Sequence, residues 1–182
     1  LIVGADQKFM ATGMDKVVEK GEYVIAFAGD AIAGDIALHS WNAPKIPRGV
    51  NLDKFMMTDF LPSLRQAYAD YGYDPSPKTA DNDPKDGSGF DALICLRGKI
   101  YQIDNDYAWT TDASGLYAIG TGTYYALGAL NILCPKMPTL TQAKRHVLKA
   151  LSTASKYDPH TGHPYKTYVQ DSTSIKVRKA IQ

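Results

Sequence analysis

Three small-residue motifs stand in a fixed order along this chain, and they carry residue types that suit hydrolysis. Leu1-Ile2-Val3-Gly4-Ala5-Asp6 is an apolar stretch closing on a carboxylate, with Lys16 following it. Val24-Ile25-Ala26-Phe27-Ala28-Gly29-Asp30 is a second apolar stretch that breaks at glycine. Tyr117-Ala118-Ile119-Gly120-Thr121-Gly122 leads into Tyr124-Tyr125-Ala126-Leu127-Gly128-Ala129-Leu130, a run rich in small residues. A late Asp158-Pro159-His160-Thr161-Gly162 adds a carboxylate and a hydroxyl. A lysine near a nucleophile favours its deprotonated form, and an aspartate holds such a lysine in place. A glycine N–H stabilises an oxyanion.

Other chemistries lack their parts. There is no Gly-x-Ser-x-Gly elbow, no His-Glu-x-x-His and no phosphate-binding Walker loop. Gly120-x-Gly122 is half a dinucleotide fingerprint, without the third glycine or the later acid-ended strand. Asp81, Asp83 and Asp86 invite a calcium reading, but Lys85 breaks the EF-hand spacing and no closing Glu follows. His160 and His163 share a loop with Asp158, a weak ligand set, while His146 is expected on a solvated helix face. Cys95 and Cys134 read as reduced, buried thiols. No cofactor and no metal is expected. A hydrolase without a well-placed histidine needs another general base. An N-terminal threonine supplies one, because a free α-amine titrates near ~7.7–8.0 and takes the hydroxyl proton at neutral pH.

The elements that must position these residues follow from pattern. Strands are predicted at 1–6, 16–19, 23–28, 90–96, 100–105, 116–120 and 167–170, with a hairpin turn at Arg97-Gly98-Lys99. A helix is predicted from Asp53 to about Tyr71 on the spacing of Met57, Leu61, Leu64, Tyr68 and Tyr71, with Pro62 kinking or breaking it. A second runs from Gly122 to near Cys134-Pro135. A third opens on the capping box Thr139/Gln142 and buries Ala143, Val147, Leu151 and Ala154. A shorter helix, 31–40, takes Asp30 as N-cap. Residues 72–89 are polar and read as an exposed loop. Strands followed by helix pairs, twice over, suit an antiparallel sandwich with helices outside it.

The 182 residues suffice for one domain, 1–182, with a substantial core. Hydrophobic residues at 45% and charged residues at 21% are the balance of a soluble globular protein. A net charge of +1 gives no electrostatic reason to expect nucleic acid or an anionic membrane, and no apolar window is long enough to span a bilayer.

Taken in order and spacing, the motifs resemble the β subunit of proteasomes and its bacterial relatives, which are N-terminal-nucleophile hydrolases. The likeness is clearest over 1–30 and 116–163 and matches only in helix placement over 40–90. It implies an α+β fold, the four-layer αββα sandwich. It implies that Asp6 contacts the active-site lysine Lys16, that Gly29 is the oxyanion glycine, and that Thr121, Asp158 and Thr161 support the nucleophile. Both threonines stand where the family has serine, so the hydroxyls survive. By the family's spacing the nucleophile stands about ten residues before Leu1, on a first strand that this sequence does not contain. The leading reading is a threonine-type peptidase acting on peptides or proteins. The alternatives are a non-catalytic subunit of a ring or virion assembly and an amidase for small amides. A closed homo-oligomer is expected, in the cytoplasm or in a virion.

Overall fold

A computed structural model describes residues 1–8, 15–75, 89–134 and 138–170, with the backbone of 177–181. Its two most apolar segments lie side by side: β3 (Tyr23–Gly29) pairs antiparallel with β4 (Phe90–Leu96), Ile25 opposite Ile94. Both faces of this pair are covered, so alternation sorts side chains between two interfaces rather than between core and water. Tyr23, Ile25, Phe27, Phe90, Ala92 and Ile94 meet a helical layer, whereas Val24, Ala26, Leu93 and Cys95 meet a second sheet. Ile25 and Ile94 are fully buried, each stabilising the fold by roughly 1.5–3 kcal/mol.

β2 (Val17–Lys20), β5 (Lys99–Ile103) and β6 (Trp109–Thr110) complete a five-stranded sheet of order β2-β3-β4-β5-β6. The two-residue turn Arg97-Gly98, with φ of 45° and 82°, is the primed hairpin that matches strand twist. β1 (Ile2–Asp6), β7 (Tyr165–Gln170) and β8 (Val177–Ile181) form the second sheet in the order β1-β7-β8. Every pairing in both sheets is antiparallel.

α1 (Ala31–Asp35) continues into a π-helical turn, Ile36–Ser40. α2 (Leu52–Phe55), a π-helical turn (Met56–Phe60) and α3 (Leu61–Asp70) run on as one helix, which covers the five-stranded sheet through Phe55, Phe60, Leu64 and Tyr68. α4 (Thr123–Leu133) and α5 (Leu140–Tyr157) pack on each other, and α5 lies against β1 and β7. The layers are therefore helices, sheet, sheet, helices: the αββα sandwich that the motif order implied.

Several local expectations need correction. The helix predicted from Asp53 begins at Leu52, because Asn51 Oδ1 accepts the Lys54 N–H at 3.0 Å. Pro62 does not break it. The widened π turn, Met56–Phe60, comes just before Pro62 and opens the ladder at the point where proline cannot donate. Asp30 is the N-cap by position, but its carboxylate caps nothing and goes elsewhere. Segment 116–120 pairs with no strand among the described residues. Its side chains still alternate, Leu116 and Ala118 meeting the α4/α5 layer while Tyr117 and Ile119 meet the core between the sheets. Sequence pattern also missed β6 and β8, one very short and the other at the sheet edge. The Asp81, Asp83 and Asp86 cluster lies outside the described residues.

Candidate functional site

Strand ends and helix ends converge on one place. β1 closes on Asp6, and Lys16 stands just before β2, where its carbonyl accepts the Phe27 N–H at 2.9 Å. That bond ties Lys16 to the end of β3. The Lys16 ammonium then reaches both Asp6 oxygens, at 3.0 and 3.1 Å. The two side chains are 23% and 14% exposed. A pair this sheltered stays paired, because leaving either charge alone there is costly. Asp6 Oδ1 also accepts the Lys8 backbone N–H at 2.9 Å.

The second cluster is built on the C-terminal end of α5. Asp158 ends the helix, its N–H still donating to Ala154 O at 2.8 Å. Its Oδ2 accepts the Thr121 hydroxyl at 2.6 Å and the Thr161 hydroxyl at 2.5 Å, while Oδ1 accepts the His160 N–H at 3.1 Å. Gly122 makes this approach possible, since a Cβ there would stand 2.7 Å from Thr161 Oγ1. Burial acts to raise the Asp158 carboxyl. The Thr121 and Thr161 hydroxyls and the His160 amide outweigh it, and the net shift is downward. Asp158 is therefore a buried anion at neutral pH, 5% exposed and held by three donors.

Gly29 closes β3 with φ +99°, and a Cβ there would lie 2.3 Å from Gly89 O. The next amide, Asp30 N–H, donates to Gly89 O at 2.9 Å. The Asp30 carboxylate accepts from Gly89 N–H and Tyr73 O–H, each at 3.0 Å. It is thus engaged with the loop before β4 and the residues after α3. Gly120 brings the Gly-Thr-Gly turn against this end of β3, where a Cβ on it would lie 3.3 Å from Ala28 Cβ.

Asp6, Lys16, Ala28, Thr121, His160 and Thr161 line one end of a trench of about 1130 Å³. Its walls are β1 on one side and residues 116–120 on the other, with α4 and α5 above. At the far end stand Leu1, Gly98–Ile100, Cys134 and Pro138. Of the six predicted site residues, four line the trench. Asp158 sits behind its two threonines, and Gly29 follows the trench-lining Ala28. His146, expected in solvent, instead places Nδ1 3.3 Å from Cys134 Sγ, a contact between α5 and the end of α4 that linear spacing conceals. Cys95 is buried between the sheets, which pushes its thiol up to about 12. Among the described residues, no group of three His, Cys, Asp or Glu is placed to hold a metal ion. Sequence reasoning missed Lys8, whose ammonium donates to Pro159 O at 2.5 Å. Nothing in its sequence neighbourhood signals a partner so distant.

No protein-family model matches the sequence, and no curated protein matches it. Solved structures do. BPH from Thiobacillus denitrificans, a bacterial proteasome homologue solved in complex with epoxomicin, superposes with a TM-score of 0.68 at 18% identity, covering 95% of this chain and 93% of that one. A second Thiobacillus denitrificans BPH structure gives 0.61 at 18% identity, over 98% and 91% of the two chains. HslV from Trypanosoma brucei gives 0.57 at 17% identity, over 91% and 90%. The fold is that of the proteasome-β-like N-terminal-nucleophile hydrolases.

Proposed function

We propose that this chain is a threonine-type peptidase subunit whose nucleophile heads a strand seated in the trench. The carrying observation is the trench itself. β1 is apolar on both faces, with Val3 and Ala5 turned to the sheet interface and Gly4 packed under Val147 and Leu151, yet it stands at the edge of its sheet. A strand covered on both faces is ordinarily an interior strand, and an open apolar edge invites pairing. Segment 116–119, alternating and unpaired, stands across the trench as the other neighbour.

Direction then selects the end that does chemistry. β1 runs from Leu1 at the far end to Asp6 at the polar end. An antiparallel strand joined to Leu1 by a tight turn begins beside Asp6 and Lys16. Six paired residues and a two- to five-residue turn put its first residue about eight to eleven positions before Leu1. That interval contains the family's spacing of about ten. A Thr, Ser or Cys there, freed at its amine, is nucleophile and general base in one residue. The hydroxyl proton passes to the α-amine as the oxygen attacks a peptide carbonyl. Lys16, oriented by Asp6, favours the ionised nucleophile, and the Gly29 N–H receives the oxyanion. The Asp158–Thr121–Thr161 cluster fixes the floor under the amine. The leaving amine takes the proton, and water then releases the acyl group.

The test uses the native chain with its processed terminus. Intact mass and N-terminal sequencing should find Thr, Ser or Cys exposed in that window. Epoxomicin, which the Thiobacillus protein binds, should bind this protein too, with Lys16→Ala lowering turnover ~100-fold. A native terminus with no such residue, or one permanently blocked, leaves the second reading: a non-catalytic subunit of an assembly. The uncharged, solvent-facing α4 supports self-association under either reading.

A further inference from the structure

The two polar clusters of the site share no hydrogen bond with each other, yet one side chain reaches from the first to the second. Lys8 follows Asp6 past the end of β1. Its backbone N–H donates to Asp6 Oδ1 at 2.9 Å, and its ammonium donates to Pro159 O at 2.5 Å. Its stem lies over Gly162, where a Cβ would stand 2.7 Å from Lys8 Cδ. We propose that Lys8 is a positioning residue that holds the Asp158–Gly162 loop in register with the Asp6–Lys16 pair.

The loop's own bonding shows why it needs such a hold. β1 and β7 stop pairing at Asp6–Tyr165, so the ladder does not reach residues 158–164. Gln7 N–H fixes one end of the loop to Pro164 O at 2.9 Å, and Asp158 fixes the other to α5. The middle is tied to β1 by Lys8. A cation suits this place. Pro159 O lies two residues past Tyr157, the last residue of the 18-residue helix α5, and the helix dipole favours positive charge near that end. Thr161, which shares Asp158 with Thr121, stands between the two residues that Lys8 touches. Releasing the loop therefore lets the supporting hydroxyls drift from the lysine that they must face.

The inference rests on the reading above only for its catalytic meaning, and its test needs no nucleophile. Backbone amide exchange and the Asp158 titration, both followed by NMR on the full chain, decide it. Lys8→Met keeps the stem over Gly162 and removes the donor, whereas Lys8→Arg restores a donor. Because the bond is exposed, the expected effect is modest. His160 and Thr161 amides should exchange about three- to tenfold faster in Lys8→Met, with β4 amides unchanged. The Asp158 carboxyl should titrate higher as the His160 amide bond loosens, and Lys8→Arg should return both readouts to the wild-type values. Any other pattern overturns the assignment, including a Lys8→Met protein that matches wild type. Failure of the peptidase reading would appear in epoxomicin binding and N-terminal sequencing, and would leave these measurements untouched.

Discussion

At the scale of single residues, the electrostatics of Asp158 has consequences that can be measured. Its folded-state titration is depressed because two hydroxyls and an amide hold the anion, although burial opposes them. A depressed carboxyl adds stability that is present above the unfolded value, ~3.9, and is lost as pH falls through the lower folded value. Thr161→Val removes one donor and keeps the side chain's shape. It should raise the Asp158 titration and cost about 1–2 kcal/mol at pH 7, with the loss shrinking below pH ~4. Urea unfolding at pH 7 and pH 3 measures both; an equal loss at the two values would contradict the assignment. Asp158, Thr161 and Thr121 were named together only through the family resemblance, carried by the Gly-Thr-Gly turn and the late Asp-Pro-His-Thr-Gly stretch, and the fold brings their side chains within hydrogen-bond distance. Lys8 and the Cys134–His146 contact were not legible in the sequence. Their partners lie on elements whose proximity only the packing creates.

At the scale of elements, strands carrying their own apolar pattern were read to within a residue or two, as β3 and β4 show. The capping box at Thr139 and Gln142 was read completely, since both halves are local. Segment 116–120 shows the limit of such reading. It has a strand's alternation without a strand's ladder, because pattern reports what lies above and below a segment and is blind to what lies beside it. The junction of β3 and α1 depends on Gly29 in the same way, through its neighbours. With φ +99° and Gly89 O 2.3 Å from where a Cβ would stand, Gly29→Ala should cost about 2 kcal/mol or more in thermal unfolding. A substitution there consequently disturbs β3 and α1 along with any oxyanion contact. Loss of activity in that variant would not identify the donor, whereas Lys16→Ala keeps the backbone bond from the Phe27 N–H to the carbonyl at position 16.

At the scale of the whole molecule, exposed apolar side chains are gathered on one outer layer. Of the eight large hydrophobic side chains exposed among the described residues, Tyr124, Tyr125, Ile132, Leu140 and Tyr157 belong to α4 and α5. Tyr124 and Ile132 are 86% and 80% exposed, and Tyr125 stacks on Tyr157 with ring centroids 5.4 Å apart. α4 has no charged residue along Thr123–Leu133. A helix with three exposed apolar side chains and no charge offers nothing to keep a second copy away. Aromatic residues at such a face carry much of the energy when an interface forms. Copies should therefore associate through α4, and closed symmetry is the outcome that leaves no such face exposed. Light scattering at micromolar concentration should give a multiple of the native chain's mass. Tyr124→Glu with Ile132→Glu, both solvent-facing in the single chain, should reduce it to one chain with the thermal midpoint of that chain preserved. A wild-type protein that scatters as a monomer, or a double variant that still assembles, removes α4 as the contact. The first result also removes the assembly reading, because a scaffold that does not associate has no function left to carry.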